Sequence, residues 1–129
     1  MQFTYTIAYV ADVAASLDFF ERAFGLQRRF LHESGSYGEL NTGATTLAFA
    51  QHELARGNLG QAYAPIDADP RPPGLEIGLA CADVPAAWKQ ALAAGAQALL
   101  PPTTKPWGQT VAYVRCPDGC LVELCTPMG

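Results

Sequence analysis

Two stretches, VADVAASLDFFERAFG (residues 10–25) and CADVPAAWKQALAAG (residues 81–95), repeat one pattern 71 residues apart. In each, an aspartate (Asp12, Asp83) stands where a helix N-cap is expected, and a glycine (Gly25, Gly95) stands where the helix would stop. Between them, apolar residues recur at intervals of three and four, which is typical of an amphipathic helix. The repeat predicts two halves of one design.

Strand-forming runs flank both helices. Residues 3–10 and 75–82 precede them, and further strands are predicted at residues 27–32, 37–41 and 45–51 in the first half and at 98–100, 110–115 and 120–125 in the second. The sequence therefore predicts an α+β protein of two tandem βαβββ modules. The modules occupy residues 1–53 and 74–129, and a loop rich in Gly, Pro, Asp and Ala joins them over residues 54–73.

Composition limits the classes of function. The chain has 129 residues, of which 50% are hydrophobic and 16% charged, as expected for one folded domain. Its net charge of -4 and the absence of a basic run argue against nucleic acid as a partner. No positively charged leader precedes an apolar stretch, and no run of membrane-spanning length occurs, so we expect a cytoplasmic protein without a membrane partner.

Four cysteines are present, and we expect them to be reduced and to serve as small apolar side chains. They are Cys81, Cys116, Cys120 and Cys125. A zinc site is the alternative, but no C-x-x-C pair occurs and the two histidines lie far away in sequence.

Residues 10–25, together with KPWGQTVAYVRCPDGCLVEL (residues 105–124), resemble the opening helix and closing hairpin of the vicinal oxygen chelate superfamily, which includes glyoxalases, bleomycin resistance proteins and dioxygenases. The resemblance spans nearly the whole chain. It implies that the sheets of the two modules curl into a cupped, partly open mixed β-sheet barrel that holds a small molecule and is usually completed through a homodimer.

In metal-dependent members of that superfamily, four strand positions carry His or Glu ligands. Here the resemblance places Tyr5, Glu76 and Glu123 at three of these positions, and either Leu47 or Ala48 at the fourth. Without an imidazole this is a poor ligand set for zinc, nickel or iron(II), so no cofactor is expected. A divalent metal such as calcium or magnesium, held by the two carboxylates and waters, is the alternative.

Glu76 and Glu123 are the candidate catalytic residues, because each lies in an otherwise apolar strand where an inward carboxylate needs hydrogen-bond donors. Strand parity alone leaves open whether they face inward or toward solvent. Trp107 is a candidate for ligand binding, although core packing accounts for it equally well. Arg115 is a weaker candidate that could instead pair with Glu123 or another nearby acid. Four more residues are weaker candidates of the same kind, since aromatics in strands are more often core: Tyr5, Phe49, Gln109 and Tyr113. We expect His52, just past a strand end, to be solvated or hydrogen-bonded to backbone rather than catalytic, and His32, near a turn, is a weaker candidate still.

Three functions remain open. A bleomycin-resistance-like homodimer that binds a small molecule in a metal-free cup is favoured by the missing metal ligands. A glyoxalase- or dioxygenase-like enzyme would use Glu123 as a metal ligand or Glu76 as a general base. A protein-association domain would use apolar residues of the connecting loop, such as Leu54, Leu59 and Tyr63.

Overall fold

Each half of the chain forms a four-stranded mixed sheet with a helix packed against it. The computed structural model describes residues 1–128, in which the elements follow in the order β1 (Tyr5–Val10), α1 (Val13–Phe24), β2 (Gln27–Leu31), β3 (Tyr37–Asn41), β4 (Thr46–Gln51), α2 (His52–Leu59), β5 (Glu76–Ala80), α3 (Val84–Ala94), β6 (Gln97–Thr104), β7 (Thr110–Arg115) and β8 (Leu121–Cys125).

The two sheets have the same topology. Their strand orders are β1-β4-β3-β2 and β5-β8-β7-β6. In each sheet the first strand pairs parallel with the last, and the remaining pairs are antiparallel. The predicted βαβββ repeat is confirmed, and the two sheets are not closed into a barrel within the chain.

The helix boundaries lie where the sequence predicts them. The carboxylates of Asp12 and Asp83 each accept a hydrogen bond at 3.1 Å, from the backbone N–H of Ala15 and of Ala86, and so satisfy a donor that the first helical turn leaves unpaired. Gly25 and Gly95 end the helices with φ of 69° and 116°, a left-handed conformation that other residues adopt only at a steric cost.

The connecting segment, residues 54–73, differs from its prediction as a loop because it begins inside helix α2. No side chain caps the start of α2, and Ala55 is its one buried residue. The helix forms because Ala55 packs down beside β1 and β4, a tertiary contact that sequence periodicity does not reveal.

Strand β6 is longer than predicted, extending through Pro101 and Pro102 to Thr104. It is an edge strand, and its pairing with β7 shifts register between Leu100 and Thr103. Prolines cannot donate to a ladder, and an irregular edge strand is where a sheet tolerates them.

One hydrophobic core joins the two halves. Helices α1 and α3 pack against each other, with Arg22 donating to the carbonyl of Ala94 and Gln90 donating to the carbonyl of Arg22. Ser16 on α1 donates to Asp118 in the turn before β8 at 2.7 Å. Large buried side chains come from both halves, among them Leu17, Phe20, Leu40, Phe49, Val84, Val114 and Val122.

All four cysteines have free thiols. Cys116 and Cys120 are buried, and burial raises the pKa of both thiols. Cys81 and Cys125 are half-buried, so the prediction of small buried side chains applies fully to the first pair only. Within residues 1–128, no helix has both the length and the apolar character needed to cross a membrane.

Candidate functional site

Alternation along the strands gives each sheet one face on the core and one face turned away from its helix. In the first sheet, Ala8, Gly38 and Phe49 are cross-strand neighbours on the core face, where Phe49 packs against Phe20 of α1. A Cβ atom on Gly38 would lie 2.7 Å from Leu17, so a side chain there would collide with α1. Residues of opposite parity therefore form a face turned away from α1.

We call these surfaces the first and second distal faces. The first is defined by Tyr5, Tyr37, Glu39 and Ala48, and the second by Glu76, Gly78, Tyr113 and Glu123. Glu39 is paired with Ala48, and Glu123 with both Gly78 and Tyr113.

The second distal face brings together both predicted carboxylates. The Tyr113 hydroxyl donates to Glu123 Oε2 at 2.9 Å, and a Cβ atom on Gly78 would lie 3.7 Å from Glu123 Oε1. Glycine at position 78 thus leaves the space beside the carboxylate open. Strand register puts Glu76 and Glu123 on the same face of the second sheet, since Glu76 and Gly78 share parity and Gly78 pairs with Glu123.

Electrostatics couple the three polar groups of this face. The hydrogen bond to Glu123, followed by burial, raises the pKa of Tyr113 to about 12. Partial desolvation, followed by repulsion from Glu123, raises the pKa of Glu76. The face therefore concentrates negative charge beside a phenol that stays protonated at neutral pH.

The first distal face carries a second tyrosine–carboxylate pair, which the sequence reasoning missed. The Tyr37 hydroxyl donates to Glu39 Oε2 at 2.7 Å, while Arg29 lies 3.4 Å from Glu39 Oε1. Burial, then the hydrogen bond to Glu39, raises the pKa of Tyr37 to about 12, and nearby Tyr5 adds to this rise. The spacing Tyr-x-Glu within a predicted strand was the signal available, since residues two apart share a face.

Two alternatives left open by the sequence are resolved here. Leu47 lies on the core face and Ala48 on the first distal face, so the fourth ligand position of the metal enzymes corresponds to Ala48. Phe49, predicted to bind ligand, is fully buried against Phe20 in the core.

Trp107 and Gln109 lie at the loop between β6 and β7, near the chain end. The Trp107 indole donates to the Gln109 side-chain oxygen at 2.9 Å, and Gln109 donates to the carbonyl of Thr126. Trp107 is 65% exposed, so its face is free to meet solvent or another molecule. Neither residue has a hydrogen bond to the Tyr113–Glu123 pair.

Arg115, another predicted ligand-binding residue, is buried and holds the connecting segment. Its guanidinium donates to the carbonyls of Ile66, Asp69 and Pro70 at 2.8–3.0 Å, and to the carbonyl of Gly119 at 3.2 Å. The structural partner foreseen for it was an acid such as Glu123, whereas the observed partners are backbone carbonyls. In this conformation its donors are used inside the fold.

The histidines have local partners. His52 Nδ1 lies 3.0 Å from the hydroxyl of Tyr63, and the two rings stack with centroids 6.1 Å apart. His32 Nδ1 lies 2.7 Å from the Ser34 hydroxyl on the surface. For His52 the sequence analysis expected solvent or a backbone partner, whereas the observed partner of its imidazole is the Tyr63 side chain.

The residues at the four metal-ligand positions do not suit a metal centre. The Ala48 side chain has no atom that can bind a metal, Tyr5 offers only a phenol, and Glu123 already accepts a hydrogen bond from Tyr113. In the part of the chain that the structure describes, no three His, Cys, Asp or Glu side chains are grouped so that they could hold a metal ion. These residues therefore do not fit a divalent metal ion.

Comparison with known proteins identifies the class. The family model of the Glyoxalase/Bleomycin resistance protein/Dioxygenase superfamily matches residues 2–124, so the chain belongs to that superfamily. No curated protein sequence matches the chain significantly.

Solved structures share the fold at low sequence identity. A glyoxalase-related enzyme from Fulvimarina pelagi is 23% identical with a TM-score of 0.84, and the match covers 100% of this chain and 93% of that one. A glyoxalase/bleomycin resistance protein/dioxygenase family enzyme from Burkholderia phytofirmans PsJN is 18% identical with a TM-score of 0.82, covering 99% and 100%. TioX from Micromonospora sp. ML1 is 20% identical with a TM-score of 0.73, covering 99% and 100%.

Proposed function

We propose that the chain is a bleomycin-resistance-like protein that binds a small cationic molecule, without a metal and without transforming it. The observation that carries this proposal is the second distal face, where Glu76 and Glu123 lie together and Tyr113 orients one of them. Repulsion between the two carboxylates is relieved when a cation sits between them. An amidinium, guanidinium or protonated amine supplies both the charge and the donors.

The surroundings of the carboxylates favour a ligand that also has an apolar part. Leu100 is the cross-strand neighbour of Tyr113 and is 56% exposed. A ring beside the cationic group would cover this side chain, and burial of apolar area contributes roughly 25 cal/mol per Å². The proposed ligand class is thus an aromatic or aliphatic cation.

A second copy of the chain would complete this binding surface. Within one chain the sheets are not closed, and exposed apolar side chains lie on both distal faces, with Phe30 and Tyr5 on the first and Leu100 on the second. We propose a homodimer in which the first distal face of one copy covers the second distal face of the other. Glu39 would then add a third carboxylate around the cation.

A pair of matched probes tests the ligand class. Benzamidine carries an amidinium where benzamide, of nearly the same shape, carries a neutral amide. We expect isothermal titration calorimetry to detect binding of benzamidine and not of benzamide. Glu123→Gln should weaken the affinity for benzamidine by about tenfold, because one charge-assisted contact is lost. Glu53→Gln, at an exposed acid on α2, is the matched control. Equal binding of both probes, or an unaffected Glu123→Gln protein, would refute the cation site.

Sedimentation velocity tests the dimer. The purified chain should sediment as a dimer, and Phe30→Glu should shift it toward monomer because a charge on that face opposes burial. A wild-type monomer at micromolar concentration would contradict the arrangement.

A glyoxalase- or dioxygenase-like enzyme is the second candidate, supported by the raised pKa of Glu76, which suits a general acid or base. Elemental mass spectrometry of protein purified without chelator, with activity assays after adding nickel, zinc, manganese and iron(II), separates the two functions. Stoichiometric metal that restores turnover would replace the binding proposal with this one.

A further inference from the structure

A cavity of about 260 Å³ lies where the two sheets meet under the connecting segment. Strands β1 and β5 are each at the end of their sheet, so each leaves one backbone edge unpaired by its own sheet. Ile7 and Tyr9 line the cavity from β1, Ile77 from β5, Leu121 from β8, and Tyr63 and Ile66 from the connecting segment. We call this space the seam cavity.

The wall of the seam cavity carries no charged side chain. Its residues are aliphatic and aromatic apart from Thr6 and Cys120, and the Tyr63 hydroxyl is already engaged by His52. The second distal face, by contrast, is built around two carboxylates. The lining therefore favours a neutral and mainly apolar occupant, since none of its side chains offers a charged partner.

The size and shape of the cavity point to an aromatic molecule. The rings of Tyr9 and Tyr63 meet edge to face, with centroids 5.2 Å apart and planes at 60°, and they form one aromatic wall. Apolar cavities of about 150 Å³ already accept benzene. A cavity of about 260 Å³ has room for two fused rings.

Hydrogen bonds hold the connecting segment in place on both sides of the cavity. Tyr63 is held by its hydrogen bond to His52, and the Ile66 carbonyl accepts from Arg115 at 3.0 Å. A Cβ atom on Gly119 would lie 3.0 Å from the same carbonyl oxygen, so the close approach of the segment requires glycine there. A wall held in place before binding saves the entropy of ordering it.

We propose that the seam cavity is a second ligand site that takes a neutral aromatic molecule of one or two rings. The cavity adjoins the two distal faces, since Tyr9 has the parity of Tyr5 and Leu121 pairs with Glu76, but no carboxylate of either face lines it. Tyr9 and Tyr63 contact the ring system, and the aliphatic side chains of Ile7, Ile77 and Leu121 exclude water around it.

The probe is 5-fluoroindole, which is neutral and has two fused rings, and its binding to the full chain is followed by fluorine NMR. Wild-type protein should bind it saturably. Ala64→Trp should weaken binding by about tenfold or more, because Ala64 lines the cavity and is otherwise exposed, so an indole at that position fills the space. Ala68→Trp is the matched control, because Ala68 is also exposed on the connecting segment but does not line the cavity.

Pro73→Trp is a second filling variant, used if circular dichroism shows that Ala64→Trp does not fold. Glu123→Gln reports on the second distal face, and we expect it to leave 5-fluoroindole affinity unchanged. Absence of saturable binding, or filling variants that bind like wild type, would overturn the proposal. Weakening by Glu123→Gln alone would place the probe on the distal face, which removes the seam site and leaves the cation-binding proposal standing.

Discussion

The first and second sheets share strand order, helix caps and a hydrogen-bonded tyrosine–carboxylate pair, but they build that pair in different ways. Tyr37 and Glu39 lie two residues apart on one strand, whereas Tyr113 and Glu123 lie opposite each other on neighbouring strands. Arg29 lies beside Glu39, and Glu123 instead has a second carboxylate, Glu76, nearby. The two halves therefore share a backbone topology but differ in the polar side chains of their distal faces.

The residues that determine the fold are therefore different from those that give each distal face its charge. Caps, strand order and the shared core depend on features present in both halves, and fold alone does not determine function. Of the two distal faces, the second carries the carboxylates that have no arginine partner, because no arginine offsets Glu123 in the way that Arg29 offsets Glu39. The ligand-binding chemistry should therefore depend on the second half more than on the first.

The largest expected effect is on the core that both halves share. Phe49→Ala should reduce the free energy of unfolding by about 3–5 kcal/mol, since it removes a fully buried ring from beside Phe20. Phe30→Ala, on the first distal face and 40% exposed, should cost about 1 kcal/mol or less. Urea denaturation followed by circular dichroism measures both.

A Phe49→Ala protein that kept its stability but lost benzamidine binding would mean that Phe49 contacts ligand, as the sequence suggested. That result would also contradict the division between core and distal faces.

The next largest expected effect on stability concerns the connecting segment, which hydrogen bonds from Arg115 hold against the second half. Arg115→Met should cost about 3 kcal/mol, because the carbonyls of Ile66, Asp69 and Pro70 lose their charged donor, the buried Arg115 guanidinium. Arg71→Met, on the same segment but 88% exposed, should change stability by less than about 0.5 kcal/mol. Urea denaturation compares the two, and faster proteolysis of residues 60–73 in Arg115→Met alone would identify the segment that is released. Equal stability of the two variants would refute this role.

The sequence predicted those parts of the fold that depend on neighbours along the chain. Asp12 and Asp83 cap helices through donors three residues away, so the signal and its cause lie in one short window. Helix α2 was missed because it depends on burial of Ala55 beside strands from elsewhere in the first half. The strand predicted at residues 98–100 was shorter than β6, because Pro101 and Pro102 argue against a strand unless its edge position is known.

The candidate site could be predicted in part for the same reason. The family resemblance singled out Glu76 and Glu123 as candidates, whereas the role of Arg115 depends on carbonyls 45 to 49 residues away, which no local pattern marks. Tyr37 and Glu39 were overlooked although their spacing indicated a shared face. The ligand positions of the superfamily fall on β1, β4, β5 and β8, whereas Tyr37 and Glu39 lie on β3.

A smaller effect tests whether the repeat is energetically symmetric. Asp12→Ala and Asp83→Ala should each cost about 1 kcal/mol, because each removes one cap hydrogen bond of the same length. Thermal denaturation of the two variants, with Asp12→Ser and Asp83→Ser as controls that retain a cap, measures the cost. A loss in one half only would show that Pro85 or tertiary packing replaces the cap there.

The smallest expected effect appears in the titration of the two tyrosines. The pKa of each is raised from 10.0 to about 12, but the largest cause is the hydrogen bond to Glu123 for Tyr113 and burial for Tyr37. Glu123→Gln should therefore lower the pKa of Tyr113 by more than Glu39→Gln lowers that of Tyr37. Carbon-13 NMR of labelled tyrosine rings resolves the two titrations, with Glu53→Gln as the control.

The sign of the accompanying stability change follows from the raised values. The folded state holds each phenolic proton more tightly than the unfolded state, so this contribution to stability is complete below pH 10 and is lost as the pH rises toward about 12. Glu123→Gln should flatten that alkaline loss more than Glu39→Gln does. Equal flattening would mean that both pairs depend on their carboxylates to the same degree, and the two distal faces would then differ only in the second carboxylate, Glu76.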